Sequence, residues 1–204
     1  MFDVLMVREF IQKYLGNTYV TAFGRCEHPA MKCDYFRLCY VFVKGGFYVD
    51  ADELYQGMDL NHLFNDDLLK IQPLCYDTVT GQMIKPDLFM ERQDPVQEWI
   101  YYVNNNPLIA PPNHPVIHLA LNRSTSILLG STTKYPFEIQ STTGPGNLTA
   151  SLVRHSINGK MNNTLIDFSF LRNWEDISVS PWPLSYRNDE RNWRLWNTAH
   201  KWKT

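Results

Sequence analysis

Two pairs of charged residues in this chain have the types and spacing to do chemistry. Asp50 and Asp52 lie two residues apart. On a regular strand that spacing points both carboxylates to one face. Two carboxylates converging at a strand end can hold a divalent cation, because hard cations prefer oxygen ligands. A solvated acidic strand end is the plain alternative. Asp34 and Arg37 lie three apart, which puts them on one face of a helix. They set an acceptor-only carboxylate beside a rigid fork of donors, and a structural ion pair uses the same residues. Tyr48 alternates onto the Asp50 face, to contact a ligand or to fill the core. Near the end of the chain His200 is a candidate ligand for Mn²⁺, with Lys201 beside it able to pair with phosphate; a surface tail is the alternative.

These residues need particular elements to bring them together. The segment Cys33 to Val43 reads as an apolar helix, stopped by Gly45-Gly46, since glycine allows the left-handed turn that ends a helix. Phe47 to Asp50 reads as a short buried strand carrying the acids to its C-terminal end. Upstream, Val7, Phe10, Ile11, Tyr14 and Leu15 recur at helical spacing, and Thr18 to Phe23 reads as a short strand or extended loop. Asp66 to Tyr76 and Gly81 to Phe89 read as alternating or irregular segments of a mixed sheet. Asn104-Asn105-Asn106-Pro107 and Ala110-Pro111-Pro112-Asn113 carry turn chemistry around a short apolar piece. Pro115 opens a helix through about Leu129. Thr142 to Gly146 reads as a loop, with Asn147 or Thr149 capping a helix over Leu148 to His155. Backbone amides at that helix start, around Gly144, Pro145 and Gly146, can bind oxygen-rich groups, although a plain turn would use the same residues. From Trp174 onward the chain reads as irregular but packed.

The 204 residues suit one domain with a sizeable core. Nineteen basic against 21 acidic residues imply no general affinity for nucleic acid or anionic membranes. Six Trp, eleven Tyr and eleven Phe suit a core and sugar stacking equally. No apolar run is long enough to span a bilayer, and residues 1–10 have no secretory layout. Cys26, Cys33, Cys39 and Cys75 lack metal-finger or CxxC spacing, so they read as buried free thiols and point to the cytoplasm. His114, His118 and His155 have no metal-specifying spacing and read as structural. The sequons at Asn122, Asn147 and Asn162 do not establish secretion. No Gly-x-Ser-x-Gly, His-Glu-x-x-His, Walker or GxGxxG pattern is present.

Taken as a block, Cys33-Asp34-Tyr35-Phe36-Arg37 and Gly45-Gly46-Phe47-Tyr48-Val49-Asp50-Ala51-Asp52 resemble the heart of the DXD-motif glycosyltransferases of the initiation-mannosyltransferase type. Capsular-polysaccharide sugar transferases and the glucosylating domains of large clostridial toxins share this pattern. Only its leading Ser is replaced, by Cys33. Asn113-His114-Pro115, Thr143-Gly144-Pro145-Gly146-Asn147-Leu148-Thr149 and Ala199-His200-Lys201-Trp202 extend the resemblance to the end of the chain. It implies an α/β fold of the GT-A kind, a mixed sheet flanked by helices, in one catalytic domain over 1–204. It implies metal-dependent, retaining transfer of a hexose from a nucleotide-sugar to an acceptor hydroxyl of a glycan or polysaccharide. Asp50 and Asp52 would hold Mn²⁺ or Mg²⁺ on the diphosphate, with His200 completing the metal shell. Asp34, Arg37 and Tyr48 would contact the donor, and Gly144, Pro145 and Gly146 would line the sugar or acceptor cleft.

Relatives begin with a strand, helix and strand that enclose the base. Only residues 1–33 precede Asp34, and they contain no opening strand of the Pro-Lys-x-Ile-His type. The resemblance therefore implies an N-terminally truncated fold whose open side calls for a protein partner. Two other classes stay open. One is a non-catalytic or partner-dependent carbohydrate-binding remnant. The other is a phosphohydrolase using Asp50 and Asp52, which would release phosphate from simple esters.

Overall fold

The structure is a computed structural model that describes residues 3–130, 137–162 and 165–180. Helix α1 (Val4–Tyr14) starts where the Asp3 carboxylate accepts from the Met6 amide at 2.8 Å, and it buries Val7 and Ile11. Helix α2 (Asn17–Gly24) occupies the segment expected to be extended. Its adjacent Ala22 and Phe23 are both buried, which a strand with one covered face would not allow; packing on α1 overrides the β-leaning Thr and Val residues. Helix α3 (Pro29–Lys44) has Pro29 in its first turn and the His28 ring accepting from the Ala30 amide at 3.1 Å.

The main sheet runs β1 (Gly46–Tyr48), β5 (Trp99–Ala110), β3 (Leu69–Asp77) and β4 (Gln82–Ile84), all antiparallel to their neighbours. Strand β6 (Phe168–Phe170) joins β3 in parallel, so the sheet is mixed. A separate ribbon pairs β2 (Leu54–Tyr55) with β7 (Ser178–Val179). Between β4 and β5, Pro86 opens the short helix α4 (Pro86–Met90), so the Gly81 to Phe89 segment is strand only over its first part. Helices α5 (Pro115–Gly130), α6 (Ile139–Thr142) and α7 (Pro145–Met161) follow, and α8 (Trp174–Ile177) precedes β7.

The chain is thus mixed α/β, a mixed sheet flanked by helices. Met31, Tyr35, Leu38, Ile71, Leu108, Ile117, Leu121 and Leu148 form the heart of the core between the sheet and the long helices. A smaller cluster of Leu63, Ile109, Trp174 and Ile177 covers the other side. Among the described residues no helix is long and apolar enough to cross a membrane.

Two turn assignments from sequence are corrected. The three asparagines 104–106 are not a turn but lie inside the 12-residue strand β5. Pairing jumps from Ile71↔Leu108 to Pro73↔Val103, so residues 104–107 face Gln72 as a bulge. The bulge releases these polar residues from the ladder, which is how a strand tolerates them. At the other site, α7 begins directly after Gly144, and neither Asn147 nor Thr149 caps it. Asn147 is wholly buried and donates to the Ala120 carbonyl at 2.9 Å and Ser124 Oγ at 2.8 Å, which stitches α7 to α5. Thr149 Oγ1 donates to the Pro145 carbonyl and accepts from the Val103 amide.

Candidate functional site

Helix α3 delivers Asp34 and Arg37 side by side, with only 8% and 5% of their surface exposed. The helix stops at Gly45, whose φ is +64°. A Cβ there would lie 2.7 Å from the Pro112 ring and 2.9 Å from the Ala110 carbonyl oxygen, so both backbone and space demand glycine. The chain reverses into β1 and reaches Tyr48 beside Arg37. The strand ends there rather than at Asp50. Asp50 instead opens a turn, closed by the Glu53 amide donating to the Asp50 carbonyl at 3.2 Å. Asp50 and Asp52 therefore do not share a strand face; they belong to one tight acidic turn, with Asp52 half-buried.

Arg37 is the hub. Its Nη2 lies 3.2 Å from Asp34 Oδ1, 3.1 Å from Asp50 Oδ1 and 3.1 Å from Tyr48 Oη. Its Nη1 donates to the Asn105 carbonyl at 2.6 Å, and the guanidinium stacks on the Tyr48 ring at 4.1 Å. Tyr48 Oη donates to Asp50 Oδ1 at 2.8 Å. Arg37 Nε is buried with no hydrogen-bond partner among the described residues. Burial alone would lower the Arg37 pKa, but the carboxylates of Asp34 and Asp50 outweigh it and hold the cation.

Asp34 Oδ1 also accepts from Asn105 Nδ2 at 2.9 Å, and its Oδ2 lies 3.5 Å from Thr143 Oγ1. Burial pushes the Asp34 carboxyl up to about 6, against the opposing pull of Arg37 and Asn105. The 143–146 segment reaches this same carboxylate. A Cβ on Gly144 would stand 3.3 Å from Asp34 Oδ2 and 3.1 Å from Gln140 Cα, so glycine permits the close approach. Pro145 and Gly146 form the first turn of α7, and Gly146 packs on the Gln140 backbone.

The structure thus brings Asp34, Arg37, Tyr48 and Asp50 into one hydrogen-bonded cluster, with Gly144 at its edge and Asp52 two residues on. His200, Lys201 and Trp202 lie outside the described residues. Among the described residues no group of three or more His, Cys, Asp or Glu side chains is arranged to hold a metal ion. A cation here would take one or two carboxylates and complete its shell with substrate phosphate and water, a mode usual for Mg²⁺. The all-oxygen donor set of Asp50 and Asp52 fits that chemistry.

Sequence reasoning missed Asn105, Asn106 and Glu53. The run of three asparagines was the available signal, because amides inside a strand need partners. Asn106 is buried; its Oδ1 accepts from the Asp50 amide at 2.9 Å and its Nδ2 donates to Glu53 Oε1 at 2.8 Å. The expectation of four buried thiols also needs correction. Cys26, Cys39 and Cys75 are buried, but Cys33 is exposed on the outward face of α3. It borders a cleft of about 510 Å³ whose walls include Phe36, Arg37, Tyr40, Lys44, Phe47 and Tyr48. Elsewhere, His155 Nε2 bonds the Asp167 carboxylate at 2.8 Å and His114 Nε2 lies 3.0 Å from the Asp167 carbonyl oxygen, while His118 stacks on Phe42.

No protein-family model matches the sequence, and no curated protein matches it. Among solved structures the fold is similar to one titled PaToxG Glycosyltransferase, at 15% identity and a TM-score of 0.40, over 66% of this chain. The chain spans 40% of that structure's length. So loose a likeness assigns no activity.

Proposed function

We propose that this chain is a sugar-transferring domain of the GT-A kind, which moves a hexose from a nucleotide-sugar to an acceptor hydroxyl on a glycan. The observation that carries this reading is the Arg37 hub, which gathers Asp34, Tyr48 and Asp50 at the end of β1. Asp34 Oδ2 lies beside Gly144 and Thr143, and in this reading it accepts from a sugar hydroxyl of the donor. Asp50 and Asp52 would hold Mn²⁺ or Mg²⁺ on the diphosphate, and the resemblance adds His200. The cation would supply charge neutralisation on the leaving diphosphate.

The bond from the anomeric carbon to phosphate oxygen breaks as the acceptor oxygen bonds to that carbon. The acceptor proton leaves with the nucleoside diphosphate or to water. No carboxylate identifies itself as a nucleophile, so retention follows most simply from a front-face route driven by leaving-group stabilisation. Three buried free thiols favour a cytoplasmic setting. One observation favours the non-catalytic, sugar-binding alternative: both terminal nitrogens of Arg37 are already engaged by the chain's own groups.

Asp34→Asn separates these readings. If Asp34 grips the sugar, the substitution weakens nucleotide-sugar binding by about ten- to a hundredfold, the cost of a hydrogen bond to a charged group, and leaves the bare nucleoside diphosphate nearly untouched. Equal losses for both ligands would make the pair structural. The raised pKa adds a signature. Below about pH 6 the wild-type carboxyl is protonated and ceases to be an acceptor-only group. Sugar affinity should therefore fall with pH through that value, approaching tenfold per unit, and the Asn variant should be flat. Calorimetry between pH 5 and 8 reads both effects.

A further inference from the structure

Glu53 closes the acidic turn, and both oxygens of its carboxylate accept from protein donors. Its Oε1 accepts from Asn106 Nδ2 at 2.8 Å and from Ser180 Oγ at 3.0 Å, and its Oε2 accepts from Ser178 Oγ at 2.6 Å. Asn106 is two-ended. It takes the amide of Asp50, the first residue of the turn, and gives to the carboxylate of Glu53, the last. The turn's own closing bond is long, at 3.2 Å. The side chains add to that bond, and they tie the turn to two other elements at once. One is the buried bulge of β5 through Asn106. The other is β7 through Ser178, which is itself buried.

We propose that Glu53 is a positioning residue for the cation site: it holds the Asp50–Asp52 turn in its binding conformation without touching cation or donor. This rests on the reading of Asp50 and Asp52 as cation ligands. Three protein donors already occupy most of the acceptor sites of the Glu53 carboxylate, so the role assigned to it is to hold the turn rather than to bind the cation. Its contribution is geometric. Groups that orient metal ligands change affinity by about ten- to a hundredfold when removed, although they make no bond to the metal.

The test is a Mn²⁺ titration of the full chain, following the electron paramagnetic resonance signal of the free ion. Glu53→Ala should weaken Mn²⁺ binding at least tenfold. Glu53→Gln should stay within about threefold of wild type, because its carbonyl still accepts from Asn106 and its amide can donate to a serine hydroxyl. Ser178→Ala, distant in sequence but bonded to Glu53 Oε2, should lose about two- to tenfold, the worth of one hydrogen bond. It also carries the test should Glu53→Ala not fold, and an unchanged affinity there overturns the proposal. A Gln variant as weak as the Ala variant also overturns it, because Glu53 would then act through its charge or as a ligand. Unchanged binding in Glu53→Ala does the same while leaving Asp50 and Asp52 as ligands. The titration is repeated with uridine diphosphate present, because substrate phosphate would complete the shell; if the wild type binds no Mn²⁺ in either case, the cation reading itself fails and takes this role with it.

Discussion

Replacing Arg37 by alanine should destabilise the fold by about 3–5 kcal/mol, the usual cost of breaking a buried ion pair by removing one partner. The loss should come mainly from Asp34. Its side chain is 11% exposed, whereas that of Asp50 is 37% exposed and partly screened by water. Without the guanidinium, Asp34 must protonate or stay charged while buried with only the neutral donors of Asn105 and Thr143, and the Asn105 carbonyl loses its donor. Lysine should not rescue the site, because one ammonium cannot reproduce the fork that reaches Asn105, Asp34, Tyr48 and Asp50 together. Adding Asp34→Asn to Arg37→Ala should recover part of the loss by removing the stranded charge. Urea denaturation at pH 7.5 measures each step. A loss under about 1 kcal/mol for Arg37→Ala, in the range of an exposed pair, would deny the hub its structural weight.

Asp52→Ala should have the opposite profile, with a large effect on chemistry and a small one on the fold. Asp52 lies half-buried, and the anchors that Asn106 makes to the Asp50 amide and the Glu53 carboxylate remain in the variant. Removing a cation ligand would leave the diphosphate charge less neutralised as the glycosidic bond breaks. Losses of one preorganised electrostatic group in enzymes run to about a hundred- to a thousandfold in rate. Metal-dependent donor hydrolysis should fall by that order, and the melting temperature should stay within a few degrees of wild type. Wild-type turnover of the variant in saturating Mn²⁺ would remove Asp52 from the cation site.

Much of this arrangement was legible in the sequence where local rules are strong. Helical spacing placed Asp34 beside Arg37, the glycine pair marked the end of α3, and Pro115 marked the start of α5. Strand alternation put Tyr48 and Asp50 together, although for the wrong reason. The strand stops at Tyr48, and the contact is made by a long phenol reaching a carboxylate in the following turn. The rest depends on tertiary partners. Asn104-Asn105-Asn106 has the composition of a turn, and only a bulge opposite Gln72, with acids waiting on either side, makes it strand. Thr18 to Phe23 has strand-leaning residues, yet it is helical because packing among α1, α3 and α5 buries Ala22 and Phe23 at once. Glu53 carries no local signal, since its partners Ser178 and Ser180 lie far away in sequence.

The central claim is that the cluster around Arg37, with the acidic turn, binds a metal-complexed nucleotide-sugar. Calorimetry of a panel of uridine and guanosine diphosphate hexoses, each with Mn²⁺ and with a chelator, tests it most directly. At least one donor should bind at least tenfold more tightly with Mn²⁺, a difference of about 1.4 kcal/mol, and Asp52→Ala should abolish that difference. Equal binding of every donor with and without metal, or no binding of any, would contradict the account.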